Sequence, residues 1–373
     1  MVYISKLFKK NISKYIRIDN IKESISVGIS IYKGTTGNIS VSIQPNLLLY
    51  VLSNYRSLFG SSSGCSIGDR SDLPYNRIVF GAPGTGKSYK LHSDSAVFHN
   101  NIERVTFHPN YSYGQFIGTY KPISIDGSIR YTFVPGPFIR TYINCLKDPS
   151  NNYLLIIEEI NRANVSAVFG DIFQLLDRKD GISEYPITTG EDLKDYLYQV
   201  LYPNYDQFDD NNKKVADLVC SHLCIPQNMY IWATMNSSDQ GVFTLDTAFK
   251  RRWNFEYIGI DDCESTVDDR KFNLPDGTSI SWPCIRRIIN DKLLATGIVN
   301  EDKLLGPFFI NNYSAYSDEE FNSLIKSKII MYIFEDISKY NRSEIFSGCD
   351  KLTYSSICEK FDEIGLNIFN NTS

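Results

Sequence analysis

Four short clusters of residues carry side chains and spacings suited to chemistry on a phosphate. Gly81-Ala82-Pro83-Gly84-Thr85-Gly86-Lys87-Ser88 satisfies G-x-x-x-x-G-K-[ST] at every fixed position. It follows a short apolar run and opens a polar helical pattern, as the chemistry requires. Glycines let backbone N–H groups turn inward on a phosphate, and the helix N-terminus adds partial positive charge. Lys87 would then reach the β and γ phosphates, and the Ser88 hydroxyl would hold Mg²⁺. A nucleoside triphosphate site is expected here.

The second cluster lies about 70 residues further on, where Leu154-Leu155-Ile156-Ile157 runs into Glu158-Glu159. Two adjacent acids are usually a solvated strand end. Behind a buried apolar run and downstream of a phosphate loop they take other roles. Glu158 would hold Mg²⁺ directly or through its water, and Glu159 would act as general base on the attacking water. The third cluster is Asn236, just after the apolar run 229–234, placed to sense the γ-phosphate beside Glu159. The fourth is Arg251-Arg252. A basic pair closing a helix can simply complement its dipole. Alternatively, one guanidinium is an arginine finger completing the site of a neighbouring subunit, which requires an oligomer.

These clusters need a framework. Short apolar strands at 77–80, 105–107, 153–157 and 229–234 alternate with helices from about 87 and at 165–176. That alternation argues for an α/β core with a parallel sheet covered on both faces. After Trp253 the strands largely stop, and helices are expected at 282–294, 318–340 and 354–364. Residues 1–73 read as a small N-terminal α+β domain plus linker. It has a basic amphipathic start (Lys6, Lys9, Lys10, Lys14, Arg17 and Lys22 against Asp19 and Glu23), a hairpin over 26–43, a helix over 47–59 and a Ser/Gly-rich linker from 61. The expected division is 1–73, a nucleotide-binding core over 74–258, and a helical C-terminal lid over 259–373.

Composition bounds the alternatives. The 373 residues carry 38 basic and 43 acidic side chains, so no global positive field marks a bulk nucleic-acid binder. Eight cysteines are too sparse for a disulfide scaffold. The N-terminus lacks a signal-peptide apolar run, and no stretch is long enough to span a membrane. A reduced, cytoplasmic protein without membrane contact is expected. Cys220, His222 and Cys224 have metal-like residue types but no second ligand pair, and are read as ordinary helix residues. Glu301-Asp302-Lys303 matches part of many nuclease cores but reads as a lid turn, so cleavage is not assigned to this chain. His108 reads as structural, and Arg286 and Arg287 are candidates to touch the phosphates in cis.

Phosphate loop, acidic strand, Asn strand and Arg pair, in that order, resemble the AAA+ ATPase superfamily. The wording of Ile157-Glu158-Glu159-Ile160-Asn161-Arg162-Ala163-Asn164, continuing through Val168-Phe169-Gly170-Asp171, is similar to the McrB family. So are Met235-Asn236-Ser237-Ser238-Asp239-Gln240, Phe107-His108-Pro109-Asn110-Tyr111-Ser112-Tyr113 and Phe133-Val134-Pro135-Gly136-Pro137-Phe138. The resemblance covers roughly residues 76 to 345.

It implies a Mg²⁺-dependent GTPase or ATPase acting as the hexameric ring motor of a restriction or phage-defence system. A separate McrC-like subunit would carry the nuclease and stimulate hydrolysis, and DNA would engage the complex. It also implies an inserted hairpin at about 120–133, turning at Asp126-Gly127. Three departures stand out. Glu158 replaces the family's usual Asp, Gln240 replaces a cation, and residues 1–73 are short for a DNA-reading domain. Two other classes share the phosphate chemistry: a MoxR-type ATPase chaperone remodelling a protein partner, and a nucleotide-gated scaffold that barely turns over.

Overall fold

Each of five strands places consecutive side chains on opposite faces. In the 153–158 strand, Leu154 and Ile156 join one buried cluster while Leu155 and Ile157 join another. All four are fully buried, so both faces of the sheet must be covered. The computed structural model describes residues 29–33, 39–43, 73–125, 127–237, 241–349 and 351–369. Its five-stranded parallel sheet contains β1 (Asn76–Gly81), β2 (Ile102–Thr106), β3 (Tyr153–Glu158), β4 (Met229–Asn236) and β5 (Asn254–Tyr257). The spatial order is β5-β1-β4-β3-β2.

This order decides where the chemistry falls. β4 lies between β1 and β3, with Asn236 opposite Gly81 and Ala233 opposite Ile157. The phosphate loop, the acidic strand end and the Asn strand end therefore emerge side by side. The helix Lys87–Ser95 covers one face through Leu91, with Phe98, Tyr230 and Trp232 packed edge to face beside it. The helix Pro137–Lys147 and the 165–176 segment cover the other through Phe138, Tyr142, Val168 and Phe169. A third hydrophobic cluster, built on Trp282, Ile285, Phe321, Ile329 and Phe361, forms the helical C-terminal region.

Several expectations need correction. Strands do not stop after Trp253. β5 pairs with β1 in parallel, and Lys271–Asn273 pairs with Ser279–Ser281. Arg77, 4% exposed, ties β5 to the sheet by pairing with Glu256 and with Asp94 of the phosphate-loop helix. The expected helix over 165–176 is broken. Val165–Phe169 is α-helical and Gly170–Leu176 winds as a 3₁₀ helix. Gly170 adopts φ +50°, with the Tyr113 ring 3.0 Å from where a Cβ would sit.

The second strand is Ile102–Thr106, ending one residue before Phe107. The inserted hairpin is longer than expected, pairing Gly118–Ile125 with Ser128–Pro135. The helix Glu191–Leu201 was not anticipated, and the helix expected around Cys220–Cys224 runs instead over Asp210–Ser221. The latter holds Cys220, but His222 and Leu223 form a short strand against Ile187–Thr188, so His222 and Cys224 are not helix residues. Burial pushes the Cys220 thiol up to about 12 and the Cys224 thiol up to about 11.

The helices Trp282–Ala295 and Tyr354–Ile364 form as expected. The 318–340 region begins as an α-helix over Asp318–Leu324 and loosens into π-helical turns over Ile325–Ile330 and Ile333–Ile337. Near the N-terminus, Ile29–Lys33 and Ile39–Ile43 form the expected antiparallel pair. The basic start, the 47–59 helix, the linker, Asp126 and Ser238-Asp239-Gln240 lie outside the described residues. Among the described residues no helix is long and apolar enough to cross a membrane.

Candidate active site

The phosphate loop folds as its glycines require. Gly84 and Gly86 take φ +77° and +94°, and Gly86 caps the helix Lys87–Ser95 in the left-handed region. Side chains with a Cβ rarely adopt that region. Lys87, 8% exposed, lays its Nζ against the carbonyls of Gly81 and Ala82 at 3.0 and 2.9 Å. Ser88 is exposed at the first helical turn. Thr85 turns inward and donates to the Ala82 carbonyl at 2.9 Å.

Across from the loop, Glu158 receives three donors. Ser88 Oγ donates to Oε2 at 3.1 Å, Thr234 Oγ1 donates to the same oxygen at 2.5 Å, and Arg104 of β2 pairs with Oε1. The Ser88 hydroxyl and the Glu158 carboxylate thus bring hard oxygen donors together beside the loop, a donor set that fits Mg²⁺.

Glu159 is the next residue, yet its side chain takes a different course. Its backbone is left-handed, φ 56° and ψ 48°. A non-glycine residue held there costs roughly 1–3 kcal/mol, and such strain clusters at functional sites. The turn swings the carboxylate to Asn236, whose Nδ2 donates to Oε1 and Oε2 at 2.7 and 2.9 Å. Arg162 Nε donates to Oε2 at 3.2 Å. Asn161 in turn fixes Asn236 by donating to its carbonyl at 2.6 Å. Loop, Glu158, Glu159 and Asn236 therefore converge at the C-terminal edge of the sheet.

Thr234 was missed in the sequence. Besides donating to Glu158, its hydroxyl accepts the Glu159 N–H at 3.1 Å, so one buried oxygen fixes both acids. The signal was available: Thr234 and Asn236 are two apart and share one face of β4. Thr234→Val keeps the shape, orphans a buried N–H, and should lower stability by about 1–2 kcal/mol. Turnover at saturating nucleotide should fall roughly tenfold, equal to about 1.4 kcal/mol of misplaced chemistry. Thermal melting and kcat check this, and an unchanged kcat would remove Thr234 from the site.

The arginine pair separates sharply. The Arg252 side chain is 8% exposed, donates to Asp177 Oδ2 at 2.6 Å and to the Ala248 carbonyl at 2.8 Å, and stacks on Phe173 at 4.1 Å. The Arg251 side chain is 67% exposed and approaches Asp177 only to 3.7 Å. Neither lies with the loop and acids of its own chain in any contact described above. Arg286 is fully buried, pairing with Asp261 and Glu264 and donating to the Leu305 carbonyl, so it does not serve as a cis phosphate contact. Arg287 is exposed and pairs with Glu264. His108 is exposed, its ring edge-on to Tyr111, and Glu301–Lys303 is a 3₁₀ turn.

Comparison with known proteins agrees with this geometry. Residues 76–253 match the AAA domain (dynein-related subfamily). The chain is 43% identical over 320 residues to the Type II restriction enzyme BsuMI component YdiS of Bacillus subtilis (strain 168), covering 78% of this chain and 86% of that protein. It is 28% identical over 214 residues to the Type IV methyl-directed restriction enzyme EcoKMcrB subunit of Escherichia coli (strain K12), covering 55% of this chain and 39% of that subunit. With an α/β P-loop core, the McrB-like wording around Glu158-Glu159 and a relative matched over most of its length, the chain belongs to the McrB-like AAA+ family.

Proposed function

We propose that this chain is a restriction-associated AAA+ nucleoside triphosphatase. Residues 74–258 form the nucleotide-binding core and 259–373 the lid, and copies assemble into a ring, of six by family resemblance, serving a separate McrC-like nuclease subunit that acts on DNA. The observation that carries the reading is Glu159, held by Asn236 directly across from the Gly81–Ser88 loop. Similarity to two restriction-enzyme components supports this role over a chaperone of the MoxR type.

The chemistry follows from the residues. Backbone N–H groups of the loop and the Lys87 ammonium would cradle the β and γ phosphates. Ser88 and Glu158 would hold Mg²⁺, which when bound supplies charge neutralisation on the phosphate oxygens. Glu159 would accept a proton from the attacking water as the water oxygen bonds the γ-phosphorus and the bond to the bridging oxygen breaks. Asn236 bonds Glu159 and borders the loop, so it can register whether the γ-phosphate is present.

Side-by-side steady-state hydrolysis of GTP and ATP, with Glu159→Gln as blank, tests the reading. Turnover of either nucleotide above the blank supports the hydrolase reading, and GTP turnover well above ATP turnover places the chain functionally with McrB-type motors. A chain that hydrolyses neither above the blank would sink the proposal and leave the scaffold reading. A preference for ATP would keep the fold and the residue roles and weaken the family's restriction role as the guide to this chain's biology.

A further inference from the structure

The outer side of the phosphate loop carries a contact made by main-chain atoms. Gly306 N donates to the Pro83 carbonyl at 2.9 Å, and Phe308 N donates to the Gly84 carbonyl at 2.8 Å. The approach is close enough to demand glycine on both sides. A Cβ on Gly306 would lie 2.3 Å from the Gly84 carbonyl carbon, and one on Gly84 would lie 2.5 Å from Phe309 N. Gly84 thus answers two demands, the left-handed turn of the loop and the space for residues 306–309.

That segment is itself held from behind. Leu304, Leu305, Gly306 and Pro307 are buried. Trp282, Arg286 and Asn290 project from one face of the helix Trp282–Ala295, spaced four residues apart. Trp282 Nε1 donates to the Pro307 carbonyl at 2.8 Å, and Arg286 Nη1 donates to the Leu305 carbonyl at 3.2 Å. Asn290 both donates to the Leu305 carbonyl and accepts its N–H, at 3.0 and 2.9 Å. On the opposite flank, the Ile258 carbonyl sits 2.6 Å from where a Cβ on Gly81 would be. The loop is clasped at Gly81 by the chain leaving β5 and at Pro83-Gly84 by the 304–309 strap.

We propose that Gly306, with Trp282, Arg286 and Asn290 behind it, forms a positioning strap that sets the phosphate-loop backbone for nucleotide binding. These residues act through the loop's outer carbonyls, which leaves its inward N–H groups for phosphate. The proposal rests on the nucleotide-binding reading above. It also explains the buried Arg286, whose charge is spent on Asp261, Glu264 and two backbone carbonyls.

The test compares Gly306→Ala and Trp282→Phe with wild type, measuring affinity for a fluorescent GTP or ATP derivative, the split between KM and kcat, and melting of the nucleotide-free chain. Small misplacements of binding groups cost up to roughly a hundredfold. Gly306→Ala should weaken affinity roughly tenfold or more, and Trp282→Phe, which deletes one hydrogen bond and keeps most of the ring, about threefold. KM should rise in step with Kd, with a smaller change in kcat. Should Gly306→Ala fail to fold, Trp282→Phe decides alone. Variants that melt earlier yet bind with wild-type affinity would make the strap merely structural and overturn the proposal. A wild-type chain that binds no nucleotide would instead overturn the nucleotide reading, and this inference with it.

Discussion

Arg251→Ala should lower nucleotide turnover by roughly a thousandfold, the lower range for loss of an arginine finger, while leaving nucleotide affinity and melting temperature close to wild type. The expectation follows from exposure. At 67% exposed and 3.7 Å from Asp177, the Arg251 side chain has little to lose locally and a guanidinium to offer a neighbour. Arg252→Ala should behave oppositely. Removing the buried guanidinium leaves Asp177 with only the exposed Arg251 at 3.7 Å and Phe173 without its stacked cation, costing about 1–3 kcal/mol of stability.

Subunit mixing gives the sharper readout. Arg251→Ala and Glu159→Gln chains should each be nearly inactive alone. Mixed, they should regain activity wherever an intact Glu159 in one copy faces an intact Arg251 from another. Recovery in the mixture places the finger across a subunit boundary. If Arg251→Ala turns over at the wild-type rate, the trans-finger assignment falls.

Glu159→Gln should reduce kcat by roughly a hundredfold to ten-thousandfold, the range for a lost general base. Affinity should persist, because the loop N–H groups and Lys87, not Glu159, are the groups that would hold the phosphates. The substitution keeps an oxygen that can accept from Asn236 Nδ2, so the turn at Glu159 should survive and the loss should be chemical. Single-turnover hydrolysis beside equilibrium binding separates these effects. A variant that binds poorly but hydrolyses normally once saturated would move the base elsewhere.

Much of the site was legible because each part has a local cause. The phosphate loop is a contiguous string whose glycines are set by left-handed backbone at Gly84 and Gly86. β3 and β4 read as unbroken apolar runs because helices cover both sheet faces, and their polar C-terminal ends mark where chemistry can begin. The hairpin was expected at about 120–133 from the family resemblance and its Asp-Gly turn, and it runs longer, pairing Gly118–Ile125 with Ser128–Pro135.

Other features depended on partners far away in the chain. β5 has no apolar run of its own, and its place in the sheet rests on pairing with β1 and on Arg77 reaching Glu256. The 165–176 helix breaks at Gly170, whose φ is +50°, and the Tyr113 ring, more than fifty residues away in the chain, occupies the space a Cβ would need there. Thr234 and Arg104 looked like ordinary strand residues until strand order set them around Glu158.

The sequence by itself determined the phosphate loop, the order of the acidic, Asn and Arg clusters, and the α/β core that carries them, since these rest on contiguous residue types and short-range periodicity. Only the tertiary structure showed Arg251 exposed and Arg252 buried, paired Arg286 with Asp261 and Glu264, and set residues 304–309 on the loop. Each of those choices turns on which side chain or backbone atom is buried against a residue distant in sequence, and burial of that kind exists only once the chain has folded.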